Sequence, residues 1–238
     1  MRTQERAPAT AARIAKGTAN MKATPWPQLE YLYHAPGRFI LCVPPKCGCS
    51  TVAEWWSALV GIPPARRPDI VCRDGLCQHP ITWQRILAAS HKVIVVRPPL
   101  ERLVSLYVDK VVVNKTFLGV RTTFRMMVDR VAGDWRNPHW RAQIAWHGGT
   151  VWDEYVLTAR LSALLTRLAA LGGKPDLAPP QVNAMRYADQ WNGCVADTPA
   201  GELAKLDAMP PPSAFVDSAI ETQVRRAYAA DYWMEEQA

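Results

Sequence analysis

Phe39-Ile40-Leu41-Cys42-Val43-Pro44-Pro45-Lys46-Cys47-Gly48-Cys49-Ser50-Thr51 is the stretch on which the reading of the fold turns. Its first five residues are apolar without alternation, the pattern of a strand buried on both faces and paired in parallel. Two prolines end that strand, a turn of small residues follows, and Ser50–Val60 reads as a helix. The same order recurs downstream. His91–Val96 is a second buried strand, and Leu100–Val113 a helix whose Leu100, Leu103, Val104 and Tyr107 share a face at the i, i+3, i+4, i+7 spacing. Strands that alternate with helices predict an α/β domain with a P-loop-like three-layer α/β/α architecture around a central parallel sheet.

Outward from this core the signals are weaker. Residues 1–35 read as a flexible tail and 36–238 as one domain, a size that a single core can fill. Residues 61–80 are Pro-rich loop, and Trp83–Ala89 and Thr122–Val131 are short helices, the second capped by Thr122 or Thr123. Val151–Leu157 is a third strand and Ala159–Leu171 a helix ending at Gly172-Gly173. A Pro-rich connection over 174–215 leads to an amphipathic helix, Ala219–Met234.

Composition narrows the classes. Lys and Arg total 28 against 21 Asp and Glu, a formal charge of +7 that attracts anions. The basic residues are scattered and no nucleic-acid-binding signature accompanies them, so nucleic acid is not an expected partner. No apolar run of membrane-spanning length occurs, and the basic N-terminal residues precede no apolar signal core. A cytoplasmic, bacterial enzyme with reduced thiols is the expectation. Cys72, Cys77 and His79 form C-x4-C-x-H without a visible fourth ligand, so no metal is assigned; a local disulfide is the alternative in an exported protein.

Two loops carry the chemistry. In Pro45-Lys46-Cys47-Gly48-Cys49-Ser50-Thr51, backbone amides and the positive end of the following helix converge on an anion. Lys46 supplies a mobile charge, and Ser50 and Thr51 supply hydroxyls. The lysine precedes the glycine, so this is not the GxxxxGK[ST] order of a nucleotide hydrolase. The second loop, Val96-Arg97-Pro98-Pro99-Leu100-Glu101-Arg102-Leu103-Val104-Ser105-Leu106-Tyr107, puts Arg97 at a strand end and Ser105 two turns into a helix, where the two can clamp a phosphate. Glu101 reads as a partner of Arg102 or a cap of the helix start.

Together these loops resemble the sulfotransferase superfamily, nearest the Golgi carbohydrate sulfotransferases of the HNK-1 and chondroitin 4-O type, the family-2 group. The first loop is similar to that family's PK-x-[GA]-[CS]-[ST] loop, and the second to its R-[DE]-P-x-E-R-L-x-S-x-Y motif. Asn137-Pro138-His139-Trp140 resembles N-x-H-W, Val151–Leu161 a family strand and helix, and Tyr228-x-x-Asp231-Tyr232 a terminal Y-x-x-D-[YF]. The resemblance covers about residues 36–235. It implies 3′-phosphoadenosine 5′-phosphosulfate (PAPS) as sulfuryl donor, with Pro45, Lys46, Cys47, Gly48, Cys49, Ser50 and Thr51 on the 5′-phosphosulfate and Arg97 and Ser105 on the 3′-phosphate. Pro98 departs from the usual Asp or Glu, and Ala159-Arg160 from an acidic position.

The resemblance also implies a hydroxyl acceptor, a carbohydrate above all, whose proton needs a base. His139 and His79 are the candidates beside Lys46 in the catalytic set, His79 because related uronyl 2-O-sulfotransferases place their base in that region. His34, His91 and His147 read as surface residues or strand ends. Two other readings share the anion loop: a nucleotide-dependent kinase or hydrolase, which lacks its Walker motifs here, and a non-catalytic binder of acidic glycans or nucleotides.

Overall fold

The computed structural model describes residues 31–62, 83–132, 134, 136–148, 150–180, 182 and 185–238. Four strands form one sheet in the order β1-β2-β3-β4: β1 (Tyr31–His34), β2 (Phe39–Cys42), β3 (His91–Val96) and β4 (Glu154–Leu157). Strands β2, β3 and β4 are parallel neighbours, with Leu41 opposite Val93 and Ile94 opposite Tyr155. The edge strand β1 departs from the expectation. The tail reading over 1–35 includes Tyr31–His34, yet these residues pair antiparallel with β2 through a tight turn in which Arg38 N–H donates to the Ala35 carbonyl. Tyr31 and Leu32 are buried by that pairing. Two aromatic rings and a leucine in YLYH are the strand signal, masked in the sequence by flanking prolines.

Alternation along the strands feeds both faces of the sheet. Phe39, Leu41, Val93, Val95 and Val156 pack against Trp55, Trp56 and Leu59 of α1 (Cys49–Val60) and Leu164, Leu165 and Leu168 of α5 (Leu161–Leu171). Ile40, Cys42, Ile94 and Val96 meet Ile86 of α2 (Trp83–Ala88), Trp146, Trp152 and Met234 on the other face. The architecture is α/β with helices on both sides of a mixed sheet. Each fully buried large side chain contributes about 1.5–3 kcal/mol.

A third cluster lies beside the sheet. Helix α3 (Pro99–Tyr107) packs Leu103, Val104 and Tyr107 against Phe124, Met127 and Val128 of α4 (Phe124–Val131) and against Phe215, Ile220 and Val224. Thr123 is the N-cap of α4, its hydroxyl accepting from Met126 N–H. The helix read over Leu100–Val113 is α-helical only to Tyr107. Val108–Val113 widens into a π-helical turn, marked by Asn114 N–H on the Asp109 carbonyl at 2.9 Å. The run Val111-Val112-Val113 crowds an α-helix at χ1, and π turns gather at functional sites. The Pro-rich connection contains a short α6 (Ala200–Leu203), and the closing helix is two, α7 (Ser218–Ala227) and α8 (Ala229–Glu236), divided at Tyr228. Among the described residues no helix is long and apolar enough to cross a membrane.

Candidate active site

The turn between β2 and α1 closes through Cys47 N–H on the Pro44 carbonyl at 3.0 Å. Lys46 and Gly48 both adopt left-handed backbone, at φ 71° and 93°. Glycine is required at 48 twice over: by that φ, and because a Cβ there would stand 2.5 Å from Leu161 Cδ2 of α5. Gly48 is the N-cap of α1 and brings no side-chain cap, and the first turn holds no acidic residue. The leading amides of α1 therefore face outward with their dipole uncompensated. Cys49, Ser50 and Thr51 are partly exposed on this turn.

Cys47 is placed differently from the ligand expected of it. Its side chain is fully buried, and Sγ lies 3.0 Å from Gln143 Oε1. Burial pushes the thiol up to about 11, so it stays protonated. With its N–H inside the turn and its thiol in the core, Cys47 braces the loop. Pro45 also braces it, through a carbonyl that accepts from Arg102 Nε at 2.9 Å.

Arg97 leaves the end of β3 toward the same loop. Its NH1 donates to the Lys46 carbonyl at 3.1 Å, so the two basic residues share one corner of the molecule. Gln143 fixes the Arg97 backbone from both sides, accepting its N–H at 2.9 Å and donating to its carbonyl at 2.7 Å. Arg97 Nε is buried and without a hydrogen-bond partner among the described residues, 3.8 Å from Glu101 Oε2. Glu101 pairs with this arginine and not with Arg102. Pro98 occupies the N-cap of α3 and offers no side-chain acceptor, which leaves Glu101 the acidic residue of the first turn.

Glu101, Ser105 and Asp109 stand at i, i+4 and i+8 along α3 and its π-helical continuation. Arg97 meets the first, and the Lys46 ammonium meets the last at 2.6 Å. Ser105, partly exposed, lies between the two cations on this stripe. Burial lowers the pKa of Lys46, opposed by the hydrogen bond and charge of Asp109. Burial alone would raise Asp109, but the Lys46 hydrogen bond and the Lys46 and Lys110 charges hold it below the usual carboxylate range.

A profile of the sulfotransferase family matches residues 30–144, the segment holding both loops and the turn at 137–140. Over that segment, just under half of the chain, the sequence is similar to the sulfotransferases. No curated protein and no solved structure matches it.

The remaining groups of the candidate site come from further along the chain. His139 is partly buried edge-on against Phe117, and burial, followed by the charges of Lys110 and Lys46, lowers its pKa to about 4. Asn137 Oδ1 accepts the His139 backbone N–H at 2.9 Å, which identifies it as the oxygen, and lies 3.2 Å from His139 Nδ1. The proton of the neutral ring is thereby assigned to Nδ1, leaving Nε2 with a lone pair. His79, the other candidate base, and the Cys72–Cys77 pair lie outside the described residues. His34 ends β1 but is buried against Phe39, with its Nδ1 taken by Gly37 N–H. His147 bonds Tyr155 OH at 2.7 Å, and His91 stands 3.3 Å from Glu154.

Three residues that organise the site carry no role in the sequence reading. Arg102, 1% exposed, donates to the Pro45, Arg141, Pro138 and His139 carbonyls and so ties the first loop to the His139 turn. Asp231, fully buried in α8, accepts from Gln143 N–H at 2.7 Å and Ile144 N–H at 2.9 Å, holding the short 3-10 turn Gln143–Trp146 beneath Arg97. Asp231 stands in the quoted Y-x-x-D-Y motif, and Tyr228 of the same motif bonds the Trp140 carbonyl. Gln143 has no motif to announce it.

Proposed function

We propose that this chain is a sulfotransferase that takes its sulfuryl group from PAPS and passes it to a hydroxyl, on a carbohydrate acceptor. The observation that carries the reading is the meeting of Lys46 and Arg97 at one corner, with Arg97 NH1 on the Lys46 carbonyl and Ser105 on the helical stripe between their carboxylate partners. A nucleotide with charge at both its 3′ and 5′ positions suits two cationic anchors joined in this way. The Arg97 Nε, buried without a hydrogen-bond partner among the described residues, and the N-terminus of α1, which has no side-chain cap, support the reading.

PAPS supplies the activated sulfuryl group, and its reaction is an in-line displacement governed by positioning and by charge stabilisation. Lys46, with the Gly48–Thr51 amides, neutralises charge growing on the leaving 5′-phosphate, where one such donor is typically worth about 3–4 kcal/mol. Arg97 and Ser105 hold the 3′-phosphate. His139 Nε2 takes the acceptor hydroxyl proton, a step worth roughly 10²–10⁴ in rate. Titration of the purified chain with adenosine 3′,5′-bisphosphate tests the donor, and no binding at millimolar concentration would overturn it. A screen of desulfated glycosaminoglycans and lipid-linked sugars with radiolabelled PAPS tests the acceptor; label transfer only to phenols or peptides would remove the carbohydrate.

A further inference from the structure

We propose that Asp109 competes with the donor's 5′-phosphate for the Lys46 ammonium, and thereby sets how tightly donor and product nucleotide are held. The inference rests on the donor reading above and adds a residue to it.

Asp109 is a fixed acceptor, not a flexible one. Lys46 Nζ lies 2.6 Å and Lys110 Nζ 3.3 Å from its Oδ2, and the Asn114 side-chain amide donates to Oδ1. It stands on the π-helical turn closed by Asn114 N–H on its own carbonyl. Lys46 is 16% exposed and cannot trade this partner freely for water. The groups acting on it are Asp109 and Lys110 from the π-helical turn, Cys49 from α1, and His139 from the 137–140 turn, with Arg97 on its backbone carbonyl.

An ammonium has three N–H donors, but two anions sharing one tetrahedral nitrogen stand only about 4.5 Å apart. Their repulsion in a partly dry site opposes joint occupancy. A phosphate arriving at Lys46 must displace or weaken the Asp109 contact, and Asp109 recaptures the lysine when product departs. The carboxylate thus weakens ground-state nucleotide binding and speeds release, while keeping the buried ammonium charged.

The test is calorimetric titration of adenosine 3′,5′-bisphosphate at mildly acidic pH, which favours the protonated ammonium in the variants that keep Lys46. It compares the parent, Asp109→Asn, Lys46→Ala and the double variant. Asp109→Asn is expected to bind about tenfold tighter, with a correspondingly lower inhibition constant for the product nucleotide. In the Lys46→Ala background the same change is expected to alter affinity by less than about threefold. Asp109→Glu, which keeps the charge, should stay within about threefold of the parent. Asp109→Ser gives the same comparison if the amide disturbs Asn114. Unchanged or weaker binding by both neutral variants, or an equal gain without Lys46, overturns the proposal. A parent that binds no nucleotide overturns the donor reading and this inference together, and is told apart by that first titration.

Discussion

Lys46 holds left-handed backbone that a residue with a Cβ adopts at a cost, and two contacts support it there: the turn bond from Cys47 N–H to Pro44 and the Arg97 guanidinium on its carbonyl. Lys46→Ala leaves both contacts in place. It is expected to lower kcat by about 10²–10³ while shifting the urea midpoint little, and an equal loss of stability and rate would remove its proposed catalytic role. His139 makes a claim about pH. Its folded pKa of about 4 lies below the ordinary 6.5, so the unfolded chain takes up the proton first. The stability this neutral imidazole contributes is whole above about pH 6.5 and is lost as pH falls through about 4. Thermal melts should therefore show the parent losing more stability between neutral and acid pH than His139→Gln. The same group gives kcat/KM an acid limb near pH 4 in the free enzyme, where burial first, and then Lys110 and Lys46, disfavour its charge. Anionic nucleotide beside those lysines offsets them, so the acid limb of kcat is expected at higher pH than that of kcat/KM. Coincident limbs in the two profiles would count against His139 as the base.

At the scale of elements, the strand-turn-helix units were legible because their physics is local: unbroken apolar runs, prolines at the strand ends, and a glycine where φ turns positive. What stayed hidden depends on distant partners. Gln143 is one glutamine among polar residues until the fold lays it along the Arg97 backbone, and Arg102 reads as half of a surface pair with Glu101 until burial turns it inward. The π-helical turn was illegible because its hydrophobic spacing continues that of α3, while its hydrogen bonds do not. Cys47 matched a ligand loop by position, yet its side chain belongs to the core. Arg102 carries the prediction at this scale. Its guanidinium satisfies carbonyls of Pro45, Pro138, His139 and Arg141, and so joins the first loop to the 137–141 turn. Arg102→Ala strands those acceptors in a dry site and is expected to cost about 3 kcal/mol or more in urea unfolding. Arg102→Lys keeps the charge but not the fork, and should recover only part of that loss. Because the contacts join Lys46's loop to His139's turn, kcat should fall in Arg102→Lys even under conditions where it is fully folded.

Across the whole molecule, the segment that matches the sulfotransferase family ends at residue 144, but the structure that supports it does not. Strand β3 pairs with β4 from beyond that boundary, and Trp55 and Leu59 of α1 pack in one cluster with Leu164, Leu165 and Leu168 of α5. The far face of the sheet takes Trp146, Trp152 and Met234, and α3 is covered by Phe215, Ile220 and Val224. Asp231 reaches back to the amides of Gln143 and Ile144, so a residue near the end of the sequence steadies Arg97 through Gln143. Residues 30–144 alone would expose the apolar sides of three layers at once and leave β3 with an open edge. A fragment of those residues is therefore expected to show no cooperative unfolding transition and no binding of adenosine 3′,5′-bisphosphate. Asp231→Asn in the full chain should fold but weaken nucleotide binding, because the amide offers one acceptor oxygen where the two carboxyl oxygens accept from Gln143 N–H and Ile144 N–H, while the sheet keeps its partners. A fragment that melted cooperatively and bound nucleotide as the full chain does would mean that the loops assemble without the second half. The path from α8 through Gln143 to Arg97 would then have no bearing on the anion site.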